Sequence, residues 1–385
     1  MFINPITHRS NRRMRTKLLM LFFLAGPAKL PAQLFDELAL SRFARPIGLG
    51  DAYTGIAEGL EALHYNTAGL AGLDQPAAIY ANGVGEASVD GMTHATDAAV
   101  AIPLPSAFGV AGVSYSTSST GTLWSSYVVS AHVARRIGSG FSAGMDLHYY
   151  DFRGELRDET LRYGRDASFS AHAFDISPSL MYTLDHPLLD RWSDRLCIGV
   201  LLRNAFSPRV AITGSALDPG TDCNTFQQLR CGASYRITPS LDFGGPYAPL
   251  QLVVAGDVVF FTNDNDGLTG ANPYLFVRWR QNFGVELTFF ELLQLRFGRE
   301  NERSIKEVAG SSIFIPASHY GIGIILPATI MMEFGIPATV GFDFVVSDWD
   351  KIDEDSGGLH NSLSGFSFAS PVQNSAFSVK ATAHL

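Results

Sequence analysis

From about residue 77 onward, apolar and polar side chains alternate with a period of two. Between positions 141 and 149 the odd sites carry Phe141, Ala143, Met145, Leu147 and Tyr149, and the even sites Ser142, Gly144, Asp146 and His148. Leu229, Cys231, Ala233, Tyr235 and Ile237 alternate with Arg230, Gly232, Ser234 and Arg236 in the same way. Phe283, Val285, Leu287 and Phe289 face away from Asn282, Gly284, Glu286 and Thr288, and Leu293, Leu295 and Phe297 from Gln294, Arg296 and Gly298. Period two is the signature of strands with one apolar and one polar face. Strand centres fall near residues 82, 97, 112, 129, 145, 174, 200, 232, 254, 280, 295, 322, 342 and 365, which predicts an all-β chain of about 14 strands. Residues 375–385 also alternate, and form either the closing strand or a tail. The apolar stretch 320–346 holds Pro327, Glu333, Pro337 and Asp343, so it is expected to be two strands joined near Pro337 rather than a membrane helix.

Which face looks inward decides the fold. A sandwich buries its apolar faces between two sheets, whereas an outer-membrane barrel turns them to lipid and encloses the polar ones. The apolar faces are almost free of Lys, and the aromatic doublets Tyr149-Tyr150, Phe260-Phe261 and Phe289-Phe290 suit girdles. The opposite faces mix glycine with Asp146, Arg203, Asp257, Glu286, Arg296 and Asp343. These features favour a transmembrane antiparallel β-barrel over residues 77–385. One hairpin can be registered. With Glu291 in the middle of a short turn, Phe289 faces Leu293, Thr288 faces Gln294 and Glu286 faces Arg296, so Glu286 and Arg296 are expected to form a cross-strand ion pair on the inner face. It is read as a pair that fixes register, with a gate or filter element as the alternative.

Ahead of the strands, Arg9, Arg12, Arg13, Arg15 and Lys17 precede the apolar run Leu18 to Ala25, and small residues follow to Ala32. That order is expected of a secretory signal peptide at 1–32. Its removal takes away six basic and no acidic residues, moving the net charge from −9 to −15. Such a balance argues against nucleic-acid binding. Only 17% of the 385 residues are charged, against 46% hydrophobic, which also excludes a disordered chain. Cys197, Cys223 and Cys231 are the only cysteines. In an oxidising compartment Cys223 and Cys231 either close a small disulfide loop or stay free. Their spacing fits no metal site, and no cofactor motif is present.

Residues 33–76 lack alternation and are rich in small side chains, which suits a hatch packed inside the lumen. Asn66 and Thr67 are positioned to cap a short helix or turn. The run Gly48-Leu-Gly-Asp-Ala-Tyr-Thr-Gly-Ile-Ala57 followed by His64-Tyr-Asn-Thr-Ala-Gly-Leu70 resembles the opening of PorV/PorQ-type outer-membrane barrels, which are related to the FadL fatty-acid transporters. Gly284-Val-Glu-Leu-Thr288 with Leu295-Arg-Phe-Gly-Arg299 is similar to the late hairpin of that family, and Leu229-Arg-Cys-Gly-Ala-Ser-Tyr235 more weakly so. Thr67 stands where the family usually has proline. The resemblance implies a fourteen-stranded barrel with an N-terminal hatch, whose residues include Gly48, Gly50, Asp51, Asn66, Thr67 and Gly69.

No catalytic motif appears, and the chain is expected not to be an enzyme, although His132, His148 and Ser142 share the lumen-facing register. Asn263-Asp-Asn-Asp-Gly267 is half a calcium loop without a suitable first or twelfth ligand, and reads as a hairpin loop. The acidic run Asp348 to Asp355 reads as a solvated loop, with ion bridging to lipopolysaccharide as the alternative. Three functions compete. The family resemblance favours a component of protein secretion or surface attachment, partnered by a translocon or cargo protein. FadL-like passage of small hydrophobic molecules is the alternative, with a strand kink at Pro178 or Pro337 as lateral route. A closed structural anchor is the third. All three place the chain in the outer membrane of a Gram-negative bacterium, among lipid and lipopolysaccharide.

Overall fold

A computed structural model describes residues 43–87, 91–105, 108–120, 124–156, 167–185, 192–206, 209–211, 213–214, 222–224, 227–239, 248–263, 276–306, 311–349 and 374–384. Residues 1–42, which include the expected signal peptide, residues 264–267, expected to form a hairpin loop, and residues 350–373 lie outside these.

Fourteen antiparallel strands close into a barrel. They are β1 (Ala77–Ala87), β2 (Gly91–Pro103), β3 (Val110–Thr120), β4 (Trp124–Gly138), β5 (Phe141–Leu156), β6 (Ala167–Asp185) and β7 (Ser193–Arg203). The second half comprises β8 (Gln227–Thr238), β9 (Leu250–Asn263), β10 (Phe276–Phe289), β11 (Leu293–Lys306), β12 (Ser311–Leu326), β13 (Ala338–Trp349) and β14 (Asn374–Ala383). Each strand pairs with its neighbour in sequence, and β1 pairs with β14, for instance Tyr80 with Val379. Every strand of the ring is paired on both sides, β6 with β7 over Ser179 to Asp185 alone. Short pieces at 209–211 and 222–224 form a separate two-stranded ribbon, and 213–214 pairs with Phe169 and Ser170 of β6.

The period-two pattern maps onto the two faces of the wall. Met145 and Leu147 are about half exposed, as are Phe283 and Leu295, and all stand on the outside. Asp146, Arg203, Asp257, Glu286, Arg296 and Asp343 point inward and are buried. An apolar exterior around a charged interior inverts the arrangement of a soluble sandwich and matches a barrel immersed in hydrocarbon. In the β10–β11 hairpin Phe289 pairs with Leu293, Thr288 with Gln294 and Glu286 with Arg296.

The structure refines several expectations. The closing strand is Asn374–Ala383, not a segment centred at 365, because Phe377, Val379 and Ala381 carry the alternation that pairs with β1. The stretch 320–346 is two strands, yet they join through an eleven-residue connection, 327–337, that contains the short helix α3 (Ala328–Met331) and a 3₁₀ turn. Tyr149 and Tyr150 do not form a girdle pair. Neighbours on a strand face opposite ways, so Tyr150 is buried inside, bonded to Asn204 Oδ1 at 2.7 Å. Cys231 is a free thiol on the outer face of β8, unlike the expected loop disulfide with Cys223, whose side chain lies outside the described residues.

Candidate functional site

Residues 43–73 lie within the ring of strands, folded into the short helices α1 (Ala44–Gly48) and α2 (Ala62–Tyr65) and the 3₁₀ turns Gly59–Glu61 and Thr67–Gly72. Phe43, Leu49, Tyr53, Leu63 and Tyr65 are at most 2% exposed. Leu63 and Leu70 pack on Ala99, Ala101 and Val110 of the wall, while Leu49, Tyr53 and Tyr65 pack on Val253 and Ala255.

Glycines on the inward register let the segment lie directly on the strands. A Cβ at Gly298 would fall 1.9 Å from the Gly50 nitrogen, one at Gly284 2.5 Å from the Leu49 oxygen, and one at Gly144 2.4 Å from the Ala68 nitrogen. Gly50 itself has φ +61 and presses on Arg299, a left-handed conformation that favours glycine. Asp51 takes the next left-handed position at φ 60. A Cβ at Gly48 would meet Arg296 at 3.3 Å, and one at Gly69 would strike the Ala57 oxygen.

One side of the inner wall holds the segment by charge. Arg45 donates to Glu286 through Nε at 2.9 Å and Nη2 at 2.7 Å. Glu286 also accepts Arg296 Nε at 2.6 Å, and Arg296 Nη1 stands 2.7 Å from Asp343. Glu286 therefore bridges two guanidiniums, and Arg45 joins a pair that the hairpin register alone showed. Beside it, Asp257 Oδ2 accepts the backbone N–H groups of Tyr53 at 3.1 Å and Thr54 at 2.9 Å. Arg230 donates to the Asp51 carbonyl at 2.8 Å and covers the Tyr65 ring at 4.8 Å, and Tyr65 donates its hydroxyl to Asp51 at 2.6 Å. Lys380 reaches the buried Glu61 at 3.2 Å. Burial opposes the charge on Glu58, but Arg236 and Arg45 outweigh it and hold this carboxyl below its ordinary value.

The other side, β3 to β6, relies mostly on neutral hydrogen bonds. Asn66 Nδ2 donates to the carbonyls of Thr54 and Leu180, each at 3.1 Å, and its Oδ1 caps the following turn by accepting from Ala68 N at 3.2 Å. Ala68 N also reaches Ser179 Oγ at 3.0 Å. Thr67 donates its hydroxyl to Asp146, which holds His132 Nδ1 at 2.8 Å, and His132 Nε2 meets Ser114 Oγ at 2.8 Å. A second relay runs from Ser130 through His148 to Ser177, whose Oγ accepts from Asn204 N at 3.0 Å. Ser114, His132 and Asp146 follow the order of a hydrolase triad. Here they are buried beneath residues 66–68, and Asp146 is shared with Thr67, so the relay fastens the segment to the wall. Ser142, which shares the register of these histidines, stands instead opposite Arg136 at the β4–β5 turn. Burial, together with Arg203 and the two wall histidines, pushes His64 well below the ordinary histidine value of 6.5.

The wall is interrupted beside this neutral side. β6 pairs with β5 from Ala167 to Tyr182, but with β7 only from Ser179 to Asp185. The ladder ends next to Pro178, which has no N–H to donate. Past Arg203 the chain leaves the ladder at Asn204, with φ 54, and among the described residues returns to β6 through Ala205 N to Ile176 O at 2.8 Å and through the pairing of 213–214 with Phe169 and Ser170. Tyr150, Phe152, Ala171 and Ala173 face inward beside the interruption, while Phe174 and Phe206 are 64% and 71% exposed. Residues 64–68 hold both of its edges, since Arg203 donates to the His64 carbonyl while Asn66 and Ala68 bond to Leu180 and Ser179. Pro337, the other candidate kink, lies in the 327–337 connection.

No family model and no curated protein matches the sequence. Among solved structures, the chain is similar to a FadL homologue of Pseudomonas aeruginosa, at 11% identity and TM-score 0.44, over 92% of this chain and 99% of that one. It is also similar to the toluene transporter TodX of Pseudomonas putida, at 13% identity and TM-score 0.46, over 91% and 98% of the chains. The toluene transporter TbuX of Ralstonia pickettii is 8% identical at TM-score 0.46, over 91% and 100%.

Proposed function

We propose that this barrel resides in the outer membrane of a Gram-negative bacterium and passes small hydrophobic molecules sideways through the interruption beside Pro178. The short connections, including 139–140 and 290–292, then face the periplasm, and the opposite ends of the strands the exterior. The observation that carries the reading is the unequal pairing of β6: nineteen residues long, it meets β7 only below Pro178. Above this point β6 is met, among the described residues, only by Ala205 at Ile176 and by 213–214 at Phe169 and Ser170, and a seam so sparsely bonded is costly in hydrocarbon. The apolar inner residues Tyr150, Phe152, Ala171 and Ala173 give a small hydrophobic molecule a surface to follow, and Phe174 and Phe206 continue it outside. Residues 33–76 act as the hatch, with residues 64–68 as its clasp on the opening.

A second reading, a PorV-like part of a secretion apparatus or surface-attachment system, is favoured by the Arg45–Glu286–Arg296–Asp343 network, which suits a barrel kept shut to serve as a scaffold for a translocon or cargo. A deletion strain separates the two. Lost uptake of small aromatic hydrocarbons with unchanged secreted proteins supports the passage reading. Lost secretion with unchanged uptake overturns it in favour of the scaffold.

A further inference from the structure

We infer that the 327–337 connection is an interfacial anchor, seated among the headgroups and upper acyl chains of the periplasmic leaflet. Its sequence, Pro-Ala-Thr-Ile-Met-Met-Glu-Phe-Gly-Ile-Pro, carries one charge, Glu333. Ile330, Met332, Phe334 and Ile336 are 40%, 59%, 74% and 44% exposed. An exposed apolar cluster of this kind marks an interaction surface.

The segment is folded. Ile330 and Met331 donate to the Pro327 carbonyl at 3.0 and 3.1 Å, Gly335 to Met332 at 2.9 Å, and Ile336 to Met331 at 3.1 Å. Gly335 closes the turn at φ 76. Much of the local backbone is thus satisfied internally, which is the condition for entering a medium that offers no hydrogen bonds.

Lipid is the occupant that the surroundings select. The outward residues of the two flanking strands, Ile322 and Ile324 on β12 and Phe342 and Phe344 on β13, belong to the apolar exterior and lead straight to the connection. On the neighbouring β10–β11 turn, Phe290 is 50% and Leu293 36% exposed. The cluster therefore continues the belt that meets hydrocarbon, both along the strands and around the rim.

This inference rests on the membrane placement proposed above, and the test reads the two separately. In a chain carrying Cys197→Ser, Cys223→Ser and Cys231→Ser, nitroxides are placed singly by Phe334→Cys, by Phe342→Cys in the belt, and by Arg195→Cys at the open periplasmic mouth. Power saturation in liposomes compares collision with oxygen, which concentrates in lipid, and with a nickel chelate, which stays in water. The expected result is an oxygen effect several-fold above the nickel effect at 334 and 342, and the reverse at 195. A nickel-dominated 334 beside an oxygen-dominated 342 overturns the anchor alone, as does shielding of 334 from both colliders, which would mean that a second copy covers it. A nickel-dominated 342 overturns the membrane placement and the anchor with it. Should the cysteine-free chain not fold, hydroxyl-radical footprinting of the unaltered protein in liposomes decides the matter: protection of Met332 supports the anchor, and its ready oxidation overturns it.

Discussion

The two sides of the inner wall hold the same N-terminal segment by different chemistry. Around β10 to β13 the grip is ionic, with Glu286 between Arg45 and Arg296 and with Asp343 beyond. Around β3 to β6 it consists of side-chain amides, hydroxyls and imidazoles, with Asp146 as the carboxylate among them. A buried ion network is stiff because removing any member strands its partners, whereas neutral hydrogen bonds each contribute about 0.5–1.5 kcal/mol net and exchange with water or ligand. The wall is interrupted on the neutral side. For the proposed passage, the difference assigns the hinge to the ionic side at Glu286 and the releasing edge to residues 64–68 on β6 and β7.

The heaviest blow to this contrast is Glu286→Gln, which removes the carboxylate between Arg45 and Arg296 and leaves them only Glu58 and Asp343 as counter-charges. Loss of such a partner costs about 3–5 kcal/mol, and the unfolding midpoint of the detergent-solubilised barrel should fall accordingly in urea titrations. Gly298→Ala comes next. Its new methyl would sit on the Gly50 nitrogen, and overpacking of this kind costs about 1–3 kcal/mol. Since it lifts the hinge, ion conductance in planar bilayers should rise. Asn66→Ala removes the turn cap and the bonds to Thr54 and Leu180, an effect of about 1–2 kcal/mol. It should speed hydrophobic uptake while barely moving the unfolding midpoint, and equal effects on both would erase the distinction between hinge and clasp.

The mildest effect is on pH. His64 is held well below 6.5 when docked, so a released segment takes up a proton that the docked one refuses. Docking strength is then fully present above the ordinary value and declines as pH falls below it. Glu58, lowered from 4.5, loses its contribution only at more acid pH, leaving the window between the two to histidine. Protease cleavage within residues 43–73 should increase from pH 7 to pH 5, and His64→Gln should flatten that increase.

Much of this architecture was legible because strand physics is local. A period of two fixes which residues share a face, and a tight turn at Glu291 fixes which residues oppose, so Glu286 and Arg296 could be paired without any tertiary knowledge. Arg45 could not be added, since it meets Glu286 across 241 positions of chain and no local pattern encodes that contact. Inward parity put His132, His148 and Ser142 on one face, but finding Ser114 as the partner of His132 needs the β3–β4 register. The glycines of the polar faces held a signal that went unused: small residues at inward positions such as Gly144, Gly284 and Gly298 mark where another piece of backbone comes close. The closing strand stayed one of two alternatives for residues 375–385 because 350–373 separates it from the regular spacing of the others, and the structure bears that alternative out. Pro178 and Pro337 looked equivalent as kinks, and only the pairing of β6 with β7 distinguishes them.

The most direct test ties the two edges of the interruption together. Ile176→Cys with Ala205→Cys, placed where Ala205 N meets Ile176 O, in a chain whose native cysteines are serine, gives a staple that can be closed by oxidation and opened by reduction. Uptake of a small aromatic hydrocarbon is measured in cells carrying this chain. The account predicts that uptake falls at least tenfold when the staple is closed and recovers on reduction. Uptake that is the same in both states would contradict a lateral route beside Pro178.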